Sequence, residues 1–182
     1  MNTLLNASLS IIVAFLVGST PITSERPGGP VGVGQTQQEN LILSKDYGVA
    51  RDSLQKAVAK KDKATIRLGL ERNSLSFKNE VIRAIETLDD KSFVPDVIKV
   101  LEENQSITSG GTETAVEQAL LSRNAIATLG KLTGLKLDLR ALPDENSVEK
   151  FNPSNYVSAE EVETALRQVR VWMRANRENI ST

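Results

Sequence analysis

The chain has 182 residues, enough for one domain beside a targeting segment; 40% are hydrophobic, 25% charged and only 4% aromatic. Lysine and arginine number 22 against 23 aspartates and glutamates, so no basic excess exists to neutralise phosphates, which argues against nucleic acid as a partner. The absence of histidine and cysteine excludes zinc-finger ligation, iron–sulfur clusters, imidazole or thiol catalysis, and disulfides.

The first stretch, "MNTLLNASLSIIVAFLVGST", carries no charged side chain, and its apolar heart spans residues 11–17. That is the length of a signal-peptide core and short of the roughly 20 apolar residues of a membrane span. Val17, Gly18 and Ser19 suit cleavage after Ser19. A signal peptide over 1–19 is therefore expected, with an uncleaved anchor as the alternative and a buried N-terminal helix as the bland one. Three prolines and four glycines fall between Pro21 and Gly34. Such composition builds no core and reads as a linker over residues 20–38. Gly29, Gly32 and Gly34 lack the preceding strand and the Gly-Lys-Ser/Thr of a phosphate loop.

The remainder has helical periodicity. Leu43, Tyr47, Ala50, Leu54 and Ala57 are spaced as one helix face. "KDKATIRLGLERN" is ambiguous, because Ala64, Ile66, Leu68 and Leu70 alternate; Asp62 as a cap favours a short helix. In "EVIRAIETLDDKSFVPDVIKVLEE", residues 80–103, Phe77, Ala84, Ile85 and Leu88 cluster within about 60° of Val81. Asn79, Arg83, Glu86 and Asp90 point away. A polar bend at 89–92 follows, Pro95 occupies a first turn, and Phe93, Val97, Val100 and Leu101 form the next buried face. A polar loop is expected over 104–113, with Thr112 capping a helix to about Leu132 and Gly134 ending it. That helix is apolar on two sides: Ala115, Val116, Ala119, Leu120, Ile126, Ala127 and Leu129, then Leu121, Ala125 and Leu132. It is expected at the centre of the domain. Leu135, Leu137 and Leu139 suggest a short extended segment, and Ser158 to Glu161 spell a capping box. Val162, Ala165, Leu166, Val169, Trp172 and Met173 form the inner face of the last helix, and the tail after Ala175 is expected to fray.

Ala84, Ile85, Thr87 and Leu88 recur 41 residues later as Ala125, Ile126, Thr128 and Leu129, within the spacing of stacked helix-pair repeats. "NEVIRAIETLDDKSFVPDVIKVLEE" resembles a HEAT-repeat junction, and "SRNAIATLGKLTG" resembles a second inner helix with Arg123 at an often basic position. Ile82 occupies the equivalent place in the first copy, so a charged ladder between repeats is in doubt. "LGKLTG" followed by "VRVWMRAN" is similar to the ends of exported bacterial HEAT-like proteins. The resemblance covers residues 61–134 and more loosely the last helix. It implies an all-α fold: a short right-handed stack of antiparallel helix pairs, about five or six helices over residues 39–178. An ordinary helix bundle is the alternative. It also implies a non-enzymatic, exported module binding another protein or peptide on a concave face of second helices. The rival function is a small membrane-tethered structural or regulatory domain without a groove.

Partner-binding candidates are Arg83 and Glu86, outward on the inner-type helix, and Arg123, read as either a structural arginine or a carboxylate anchor. Trp172 reads as core. No catalytic, cofactor or metal site is predicted. The carboxylate groups Asp89-Asp90, Glu102-Glu103, Asp144-Glu145 and Glu160-Glu161-Glu163 lie at helix ends or in loops, without calcium-loop spacing. Asn6, Asn104 and Asn179 stand in glycosylation sequons, which matter only in a eukaryotic host.

Overall fold

Short polar side chains start four of the helices of this chain. The computed structural model describes residues 37–105, 112–143 and 152–180. Its helices are α1 (Gln37–Ile42), α2 (Tyr47–Lys60), α3 (Lys63–Leu70), α4 (Leu75–Leu88), α5 (Val94–Gln105), α6 (Thr112–Thr133), α7 (Ala159–Ala175) and α8 (Arg177–Ile180). Asp46, Asp62, Ser74 and Ser158 accept from the backbone N–H of Val49, Thr65, Phe77 and Glu161, at the starts of α2, α3, α4 and α7. Each satisfies a donor that the first turn leaves without a helical partner. No strand occurs among the described residues, and no helix among them is long and apolar enough to cross a membrane. The expected signal peptide and nearly all of the linker lie outside the described residues, as do Asp144-Glu145 and the Thr112 side chain.

The helices stack in two layers. Side-chain bridges give the direction of each neighbour. Tyr47 meets Phe77 edge-on at 5.7 Å, and Arg51 pairs with Glu80 at 3.6 Å, so α2 runs parallel to α4. Ser76 donates to Glu117 at 3.1 Å, and Asn124 to Asn79 at 2.8 Å, so α4 runs parallel to α6. In the other layer Lys63 pairs with Asp90 and Arg67 with Asp96, at 2.9 and 2.8 Å, which sets α3 parallel to α5. Within a pair the direction reverses: Asn104, near the end of α5, donates to Gln118 and Ser122 in the first half of α6. The described residues therefore form an all-α stack of antiparallel helix pairs, and α6 is the most enclosed helix among them. Leu121, Ala125, Ile126, Leu129 and Leu132 are buried on both of its sides. Each such Leu or Ile contributes about 1.5–3 kcal/mol of burial.

The 41-residue echo is spatial as well as sequential, since Ser76 touches Glu117. Ile85 and Ile126 are both fully buried, whereas Thr87 is exposed and Thr128 fully buried. The second copy is covered further because Leu135, Leu137 and Leu139 fold back on the core in alternation, with Lys136, Asp138 and Arg140 outward. Gly134, at φ +72, makes the turn into this segment as expected.

Several expectations change. The first helix face is broken: Asp46 restarts the chain, Ile42 of α1 is buried, and Leu43 and Tyr47 are 38% and 40% exposed. α5 continues through Asn104, expected in a loop; its amide is buried because two bonds to α6 hold it inward, which closes that sequon to modification. Ala127 is exposed. Trp172 and Met173 pack half-buried against the core. The tail does not simply fray: α8 packs on the 3-10 turn Lys91–Phe93. With Arg170 bonded to Glu102, this sets α7 antiparallel to α5. A strict continuation of the stack would make them parallel, so α7 closes the stack.

Candidate protein-interaction face

The layer of α2, α4 and α6 opens a shallow cleft of about 290 Å³ lined by Tyr47, Ser76, Asn79, Glu80, Arg83, Glu117 and Leu120. Its floor follows from the parallel packing. Asn79 and Ser76 face α6, where Asn124 and Glu117 meet them, and Glu80 faces α2, where Arg51 and Tyr47 meet it. Tyr47 is the first residue of α2, fixed there by the Asp46 cap and braced against the Phe77 ring. Burial pushes its hydroxyl above the ordinary range, and the hydrogen bond to the Glu80 carboxylate adds to this. The cleft thus sets a rigid aromatic, two carboxylates and a guanidinium side by side on three helices.

Arg83 is exposed on this cleft and, among the described residues, makes no ion pair. Glu86 lies one turn further along α4, half-exposed. Arg123 is elsewhere. Its guanidinium donates to the Arg140 and Tyr156 carbonyls at 2.8 and 3.0 Å. It ties the two segments on either side of 144–151 to α6, and Arg140 extends the tie to Glu161 and the Ser154 carbonyl. The structure therefore groups Arg83 with Glu86 and separates Arg123 from both. Glu80 and Glu117 join the face without a sequence expectation, Asn79 is expected only to point outward, and Tyr47 is expected within a buried helix face. For Tyr47 the available signal was Asp46, whose cap starts the helix there and lifts Tyr47 off the buried stripe.

Most of the described carboxylates are taken up structurally, while Glu160 and Glu163 stay exposed. Asp89 ends α4 in the left-handed region at φ 52, and Asp90 caps the 3-10 turn and pairs with Lys63. Burial would raise the Asp90 pKa, but the Lys63 ammonium and the Ser92 hydrogen bonds hold it below the usual range. Glu102 pairs with Arg170, and Glu103 lies near Lys78 and Lys99. Glu161 completes the capping box and accepts from the Arg140 N–H. Among the described residues no group of three or more acidic side chains is arranged to hold a metal ion.

Fold and face together define a stacked-helix protein with a polar, aromatic-bearing cleft across one layer. Comparison with family models, with curated proteins and with solved structures gave no match.

Proposed function

We propose that this chain is a HEAT-like, non-enzymatic interaction module that holds another protein or peptide against the α2–α4–α6 layer. The observation that carries the reading is the cleft shared by three parallel helices, with Tyr47 and Arg83 on its wall. Tyrosine and arginine are the side chains that most often anchor interfaces, and Tyr47 is already ordered by Phe77, which lowers the entropy lost on binding. The alternation of parallel neighbours with antiparallel pairs supports the repeat reading, because stacked units related by translation produce it. The uncharged N-terminal run and the Pro/Gly-rich stretch behind it support export to the periplasm or cell exterior.

A photo-crosslinking residue at position 83 is expected to trap a partner from the native host that the same residue at exposed Lys99, on the opposite layer, does not. Arg83→Glu should abolish capture by a crosslinker at Glu86. Equal trapping from positions 83 and 99 removes the assignment of this face.

A further inference from the structure

The last two helices carry a second surface of different chemistry. Arg167, Arg170 and Arg174 recur at spacings of three and four along one stripe of α7, and Arg177, past the break at Asn176, lines a cleft with Arg170 and Arg174. Arg167 and Arg174 lie roughly 10 Å apart along the axis. Two adjoining clefts of about 410 Å³ each share Arg170 and Arg174. Apolar side chains line them too: Leu166 and Val171 in one, Met173 and Ile180 in the other. Val171 is 60% exposed. Arg170 is bound to Glu102, whereas Arg167 and Arg174 have no ion pair among the described residues. Glu163 also lines the cleft that holds Leu166 and Val171, so the stripe sets four arginines against Glu163 and the Glu102 partner of Arg170, an excess of positive charge in a chain of net charge −1.

We infer that the α7–α8 stripe is a docking site for an acidic peptide segment of a partner, separate from the α2–α4–α6 face. Charge complementarity selects the occupant. Every cation of α7 and α8 is an arginine and none a lysine, and the guanidinium fork matches carboxylates two bonds at a time. The apolar lining offers a seat for one hydrophobic side chain between flanking acids. A bilayer surface is the poorer occupant. Interfacial helices set a broad apolar face beside their cations, and among the described residues of α7 only Val171 is a strongly exposed large apolar side chain.

The test uses the full chain and a short fluorescent peptide of glutamates and aspartates around a central leucine. Saturable one-to-one binding is expected at low salt, weakening about tenfold or more as salt rises from about 50 to about 300 mM. Arg167→Glu with Arg174→Glu should weaken it at least tenfold, and Arg167→Lys with Arg174→Lys by less. Lys60→Glu with Lys131→Glu, an equal charge change at exposed positions elsewhere, should leave it unchanged. Circular dichroism and the melting temperature check that the exposed arginine variants stay folded. Equal losses in the arginine and lysine variants overturn the site. So does tighter, Arg167- and Arg174-dependent binding to phosphatidylglycerol vesicles than to the peptide, or concentration-dependent self-association that those two positions control.

Discussion

Gly69 sits in the interior of α3, where glycine is a poor helix former by about 1 kcal/mol relative to alanine. Its packing accounts for it. A Cβ there would lie 2.9 Å from Val81 Cγ2, 3.1 Å from Ile42 Cδ1 and 3.5 Å from Phe77 Cε1. Val81 is fully buried and β-branched, hence stiff at χ1, and cannot swing aside. Overpacking of this kind costs about 1–3 kcal/mol, which outweighs the gain in propensity. Gly69→Ala is therefore expected to lower stability by about 1 kcal/mol or more in urea unfolding. A stabilised variant would mean that α1 and α4 yield at this point. The burial of Phe77, Val81 and Ile85 was legible from spacing alone. The close approach at Gly69 was not, because it depends on Ile42 and Val81 from two other helices.

At the scale of the element, local chemistry decides most boundaries. α7 shows it fully: Ser158 accepts from the Glu161 N–H at 3.2 Å, and Glu161 reaches back to the Ser158 N–H at 2.6 Å. Ser158→Ala should cost about 1 kcal/mol, read as an equal fall in unfolding free energy by denaturant titration. An unchanged value would show that Arg140 alone secures the helix start. The same reasoning applied to Asp46 would have ended the first helix early. The spacing of Leu43 and Tyr47 with Ala50 concealed the break, since a helix period persists across a short turn by coincidence of number. At the other end α8 forms because α5's leading turn gives it something to pack on, a contact that a polar tail does not announce.

For the whole molecule, the pH response follows from three carboxylates at three seams. Asp62 is held below the usual range by hydrogen bonds from the Thr65 hydroxyl and N–H. Asp90 is lowered likewise, its burial outweighed by Lys63 and Ser92. For Glu161 burial is outweighed by the Ser158 and Arg140 N–H groups and the Arg140 charge. A depressed folded-state pKa means that the unfolded chain binds more protons as pH falls. The stabilisation is present above the unfolded value of about 4 and is lost as pH drops through the folded values. With no histidine and no cysteine, thermal melts should be nearly flat between about pH 6 and 8 and fall below about pH 4. Glu161→Gln should flatten part of the acid limb. An acid limb unchanged in that variant would count against the assignment.

Helix periodicity, the capping residues, the polar bend after α4 and the two-sided burial of α6 were determined by the sequence itself. They rest on interactions within a few residues, and short-range order is written in spacing. The 41-residue echo belonged to the same class once α4 and α6 were recognised as like helices. The α2–α4 step stayed hidden because Arg51 meets Glu80 only 29 residues on, so no single period runs through the stack. Only the tertiary structure decided that Arg123 binds two returning carbonyls, that Tyr47 and Glu117 share a cleft with Arg83, and that α7 turns back along α5. Each depends on which distant segments become neighbours. That is settled by packing the buried faces of all the helices at once, and the solvent-facing side chains of a binding surface leave little periodic trace of it.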